Sequence, residues 1–241
     1  SNQRLMVFRN YSKAFTLVEL LIVLSLVMVA SSVIVLSTGS GDGVSLKSSQ
    51  RIISSVAQGA RGQAILKQAK SRLIIYADRS PRSEEEKYLR FVGIITQDEN
   101  NPKKWVAATK GTRLPKGIYF NPKASELISG NSKPFKQMKL QYPRINSQTE
   151  GVGESYYYYE FNTNGTIAKK FENAWLIISA GILRPDDKGI MSVDFEDPKK
   201  EGLKSGLIFR KVGTTTLVSD AVQIDFMINK ALKSRSKNTT K

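Results

Sequence analysis

A run of 22 residues, 15–36, carries a single charge, the carboxylate of Glu19. At about 1.5 Å of rise per residue, such a run forms a helix of roughly 33 Å, long enough to cross a bilayer core. No other feature limits the fold so sharply, because whatever follows must be a head hung from this rod. Glu19 sits in the first turns of the helix. A carboxylate inside a membrane helix costs on the order of 2.5–3.5 kcal/mol on insertion scales at the helix centre, so by default it marks a function. A cut between Ala14 and Phe15 would create an α-amino group about one helical turn from Glu19. A buried carboxylate is tolerated beside a cation, and the amine of its own or a neighbouring chain would serve. Helices packed side by side could use that pair to set their axial register. A secretory signal peptide has a shorter apolar core and a small-x-small cleavage site, for which Ala30 offers only a weak match. A plain membrane anchor explains the length, but neither Glu19 nor its placement after Lys13.

The order Lys13-Ala14-Phe15-Thr16-Leu17-Val18-Glu19-Leu20-Leu21-Ile22-Val23-Leu24 resembles the processing site of type IV pilins and type II secretion pseudopilins. The resemblance implies cleavage after Ala14 by a prepilin peptidase and methylation of the Phe15 amine. It further implies assembly with other pilin or pseudopilin subunits through Glu19. Ala14 stands where the family usually has Gly. The protein would then be a minor pilin or pseudopilin of a type II secretion pseudopilus or a type IV pilus. It would pass once through the inner membrane, with its C-terminal domain in the periplasm or on an extracellular filament.

Composition narrows the chemistry. The 241 residues include neither Cys nor His. Disulfides, zinc–thiolate sites, His-ligated metals and Ser-His-Asp or Cys-His catalysis are all removed. Neither an enzyme nor a cofactor is expected. A membrane-anchored periplasmic domain outside any filament is the remaining rival class. The formal net charge is +16, from 37 basic and 21 acidic residues. Residues 1–14 hold Arg4, Arg9 and Lys13 and no acid, so +13 remains beyond them. Positive residues before an apolar helix place residues 1–14 in the cytoplasm and the bulk of the chain across the membrane. Most of the remaining excess is expected to be solvated surface.

The expected order is a leader over 1–14, a transmembrane or filament-core helix over 15–36, a Gly-rich hinge over 37–43 and an amphipathic stem helix over 44–70. A β-rich periplasmic head over 71–232 and a basic tail over 233–241 follow. The hinge has three glycines in five residues, 39–43, which loosens a helix. In the stem, Leu46, Ile53, Val56, Ala57, Ala60, Ala64 and Leu66 form an apolar stripe at helical spacing. Ala57, Gly59, Ala60, Gly62 and Ala64 would let a sheet approach closely. β-type runs follow at 72–76, 88–96, 105–109, 114–120, 138–142, 156–161, 174–180, 191–195, 206–212 and 214–218, with turn residues such as Asn164-Gly165 and Gly213 between them. Residues 122–153 read as an otherwise irregular, Pro- and Gly-punctuated excursion. At 220–232 the alternation of Val222, Ile224, Phe226 and Ile228 suits a strand. The spacing of Ala221, Ile224, Ile228 and Ala231/Leu232 suits a helix capped by Ser219 or Asp220, and helix is preferred. From Lys233 onward the tail is expected to be irregular.

The expected fold class is α+β: a long N-terminal helix, half membrane and half amphipathic, packed on an antiparallel β-sheet head in the pilin-like manner. The head also resembles the H-type minor pseudopilins. That likeness rests on Ala60-Arg61 with Ala64, a Trp105-bearing strand, Leu114-Pro115-x-Gly117-Ile118, Phe161-x-x-x-Gly165 and an apolar strand around Ile177.

Three further patterns bear on binding. Lys230, Lys233, Arg235, Lys237 and Lys241 give the tail five positive charges and no acid, which could contact phosphates as in a DNA-binding minor pilin acting in DNA uptake. A solvated tail is the simpler account. Tyr156 to Tyr159 could offer stacking faces, but alternation along a strand puts two rings inward and two outward. Asp186, Asp187 and Asp194, with Glu196, Asp197 and Glu201, supply oxygen ligands of the kind Ca²⁺ takes. Their spacing matches no calcium loop, so no metal is expected and the three aspartates are weak candidates.

Overall fold

A computed structural model describes residues 17, 18, 20–23, 41–80, 83–130, 137–144 and 146–239. The chain divides into two compact units, Ser1–Gly41 and Asp42–Lys241. In the first, residues 17, 18 and 20–23 are helical. The second is an α+β head with antiparallel sheets.

Its spine is the stem helix, Asp42–Lys67. The helix starts inside the segment expected to be a hinge, with Asp42 and Gly43 as its first residues. An acid in the first turn favours the helix dipole, and Asp42 is also ion-paired with Lys200. At the other end Gln68 adopts a left-handed φ of 45° and closes the helix three residues earlier than expected. Leu46, Ser49, Gln50, Ile53, Ala57, Ala60 and Ala64 are buried. The recurring steps of three and four residues put them on one face. That face packs against two sheets at once.

The strands are β1 (Ser71–Tyr76), β2 (Phe91–Gln97), β3 (Lys104–Ala107), β4 (Thr112–Arg113), β5 (Ile118–Phe120), β6 (Gln137–Leu140), β7 (Gln148–Thr149), β8 (Glu154–Phe161), β9 (Trp175–Ala180), β10 (Ile182–Pro185), β11 (Met191–Asp194), β12 (Lys204–Phe209) and β13 (Thr215–Val218). A seven-stranded sheet has the order β6-β8-β1-β2-β3-β7, with β4 paired to β2. A four-stranded sheet has the order β13-β12-β9-β5, and β10-β11 form a separate ribbon. The sequence pattern implied one sheet; among the described residues there are two larger sheets beside the ribbon. The reason lies in strand faces. In β9, Leu176, Ile178 and Ala180 join the main core, while Trp175 and Ile177 join a second cluster behind the sheet. A strand buried on both faces reads as an unbroken apolar run, and such a run does not say which layer lies on which side.

The second cluster exists because two helices cover the back of the four-stranded sheet. One is the short helix Pro122–Ser129, inside the segment expected to be irregular. Its start has a local cause: the Asn121 side chain accepts a hydrogen bond from the Ala124 amide at 3.0 Å, and Pro122 opens the first turn. The other is the C-terminal helix Ala221–Thr239, which agrees with the preferred reading of 220–232. Asp220 caps it, accepting from the Val222 amide at 2.9 Å. The tail expected to be irregular from Lys233 is helical through Thr239.

The tyrosine run also differs from expectation. Tyr156, Tyr158 and Tyr159 are all buried and Tyr157 is half-buried. Tyr159 faces the main core, stacked on Phe209 at 4.4 Å. On the opposite face Tyr142 closes over the sheet, so tightly that a Cβ on Gly93 would lie 2.5 Å from its hydroxyl. Alternation assumed one wet face, and here both are covered.

Gln50 ties the stem to the second sheet. Its Nε2 donates to the carbonyls of Gly206 (3.0 Å) and Val218 (3.1 Å), and its Oε1 accepts from Ser219 Oγ at 2.9 Å. Gln50→Leu keeps the volume but leaves these buried groups unpaired. Chemical denaturation is expected to show a loss of about 2 kcal/mol.

Candidate functional site

The processing and assembly residues Lys13, Ala14, Phe15 and Glu19 lie outside the described residues. Their surroundings in the chain are partly described. Leu17, Val18, Leu20, Leu21, Ile22 and Val23 are helical, and each is at least half exposed, from 50% for Val23 to 76% for Leu17. At 100° per residue, these six positions spread over the circumference of a helix except the sector in which position 19 falls. A helix that is apolar over most of its circumference is stable inside lipid or buried among other elements, and exposed apolar surface of this kind marks an interaction site. Among the described residues no helix is long and apolar enough to cross a membrane; the run 15–36 falls mostly outside them.

In the head, the structure separates the remaining candidates. Lys230, Lys233 and Arg235 are exposed on the C-terminal helix, and Lys237 is in the same helix. Helical spacing brings positions 230, 233 and 237 to one side and puts 235 elsewhere. The acidic residues act as loop and ribbon ties. Asp186 Oδ1 accepts from the amides of Ile190 (3.0 Å) and Lys188 (2.9 Å), and its Oδ2 accepts from Arg79 at 2.7 Å. These bonds, the Ile190 amide foremost, hold its carboxyl below the usual range. Asp194 pairs with Arg184 at 3.4 Å and accepts from the Glu196 amide at 2.9 Å. Asp187 is exposed. Among the described residues no group of three potential ligands is arranged to hold a metal ion.

Sequence reasoning passed over the most unusual polar group of the head. Arg72, in β1, is buried with its guanidinium 4.0 Å from the Trp105 ring and 4.1 Å from the Tyr158 ring. Its Nε donates to Glu160 at 2.8 Å, and its Nη1 to Glu150 at 3.2 Å. Register explains the meeting: Arg72 lies directly across from Glu160 in the β1–β8 pair. The available signal was a lone charge in β1 and a glutamate set directly after the tyrosine run of β8.

Residues 9–35 match the family model described as the prokaryotic N-terminal methylation motif. No curated protein matches the chain. Among solved structures, the minor pseudopilin EpsH from the type 2 secretion system of Vibrio cholerae is similar over 71% of this chain and 94% of its own, at 11% identity and a TM-score of 0.35.

Proposed function

We propose that this chain, which carries the prepilin-type methylation motif of the type IV pilin-like and type II secretion pseudopilin family, is a minor pilin or pseudopilin subunit that works by assembly rather than catalysis. The observation that carries the reading is the motif match over residues 9–35, within which residues 17, 18 and 20–23 are helical, apolar and exposed. Such a segment needs lipid before assembly and neighbouring helices afterwards. In this reading a prepilin peptidase cuts after Ala14 and the Phe15 amine is methylated. Glu19 then meets that amine, or a neighbour's, as the helices pack. Before assembly the helix anchors the subunit in the inner membrane with the head on the far side, as the leader charges favour. The stem helix is the spine of the head.

Cleavage is the step on which the rest depends. Protein recovered from membranes of a host with an active prepilin peptidase is expected to begin at N-methylated Phe15 by intact and N-terminal mass analysis. Recovery of residues 1–14 still attached would overturn the assembly mechanism.

A further inference from the structure

The charge of the head is unevenly placed. Between residues 43 and 67 the stem helix has Lys47, Arg51, Arg61 and Lys67 and no acid. Residues 204–219, which form β12, β13 and their turn, have Lys204, Arg210 and Lys211 and no acid. The fold lays these two segments side by side. On the stem, Lys47, Arg51, Ser54, Gln58 and Arg61 recur every three or four residues and so share one stripe. Ser54 Oγ and Gln58 Nε2 reach Thr215 Oγ1 of β13 at 3.4 and 3.3 Å. Arg61 Nε donates to the carbonyl of Gly165 at 3.2 Å. The β12–β13 turn seats against the same point: a Cβ on Gly213, whose φ is +83°, would lie 1.8 Å from that carbonyl oxygen. The backbone carbonyl of Lys211 accepts from the Ile167 amide, which brings the loop bearing Lys169 to this end as well.

We propose that this face binds the phosphate backbone of duplex nucleic acid without reading its sequence. Lys47, Arg51, Lys169, Arg210 and Lys211 are exposed. Among the described residues none of them, nor Arg61, has a carboxylate within ion-pair distance. Asp220, which follows β13, is occupied in capping the C-terminal helix. From position 47 to 61 the stripe runs about 21 Å along the stem, long enough to meet several phosphates. Between its cations lie Ser54, Gln58, Thr214 and Thr216, hydroxyl and amide groups of the kind that position a protein on phosphate oxygens. The stem helix contains no aromatic residue, and the aromatic residue of the hairpin, Phe209, is buried against Tyr159 in the core. The face therefore offers no stacking platform for single-stranded bases and no aromatic anchors for a membrane surface. This surface is distinct from the lysines of the C-terminal helix.

The test uses the full-length protein in phosphatidylcholine nanodiscs and a 30-base-pair DNA duplex of mixed sequence. With about four phosphates contacted, affinity is expected to fall on the order of 100-fold between 50 and 200 mM salt. The variant Lys47→Gln, Arg51→Gln, Lys211→Gln is expected to weaken binding at 50 mM salt and flatten the salt dependence by about one logarithmic unit per cation. Its melting curve should match the parent's. Lys230→Gln with Lys233→Gln should bind as the parent does. Four results would overturn the assignment: no duplex binding at 50 mM salt, parental binding by the triple variant, loss of binding in the helix variant instead, or tighter binding to phosphatidylglycerol nanodiscs than to the duplex.

Discussion

Arg72→Ala is expected to destabilise the head by about 3–5 kcal/mol, which lowers the melting temperature of a domain this size by roughly 10 °C. Truncation leaves Glu160, whose side chain is only 7% exposed, as a buried charge without its closest partner; Lys70, at 3.5 Å, is half in solvent and compensates poorly. The two rings that sandwich the guanidinium also lose their cation. Replacing both partners, Arg72→Met with Glu160→Leu, is expected to restore most of the loss, because apolar groups of similar volume often match a buried ion pair. Denaturant titration of the two single variants and the double variant measures the coupling. A single-site loss below 1 kcal/mol would show that water replaces the pair. Acid gives an independent reading. Burial alone would raise the Glu160 carboxyl, but the Arg72 charge and hydrogen bond outweigh it and hold the group below its usual range. A carboxyl lowered in the folded state contributes stability that is complete above its unfolded value and lost as pH falls through the folded one. The parent should therefore lose this contribution below about pH 4, and Glu160→Gln should show a flatter profile there.

Glu19→Leu is expected to leave membrane insertion intact and to cut incorporation into filaments by about tenfold or more. Insertion becomes easier, because removing the acid relieves a cost that reaches about 2.5–3.5 kcal/mol at the helix centre. Assembly suffers, because a charge pair desolvated between packed helices is worth about 2–5 kcal/mol when one partner is deleted. Fractionation of membranes and sheared filaments separates the two effects. Glu19→Asp keeps the charge on a shorter arm and should recover part of the loss. Parental incorporation of Glu19→Leu would remove the carboxylate from the assembly step.

The legible parts of this protein are those whose cause is local. One acid in an apolar run of 22 residues needs no knowledge of neighbours to be recognised as abnormal. The stem helix is legible for a similar reason: its three-and-four spacing selects a single face whatever lies against it. The strands around Leu73, Tyr158 and Ile177 are apolar runs long enough to stand out. The short helix at Pro122 had a readable cap in Asn121, but the polar, Pro-rich stretch around it obscured the signal. In the tail, Ala231 and Leu232 suit a helix, and the lysines that follow prolong it without supplying a stop.

An apolar run of 22 residues with one acid, inside a match to the N-terminal methylation motif, and a chain without Cys or His chemistry were determined by the sequence alone, since charge count, periodicity and composition are properties of neighbouring residues. The tertiary structure decided the rest. It split the strands into two sheets around one helix, and it put Arg72 opposite a glutamate 88 residues away. It also drew two acid-free segments, joined through Gln58 and Thr215 across 157 residues, into one cationic face. Those outcomes depend on register and on which strand face meets which layer, and a single chain read in order carries no record of either.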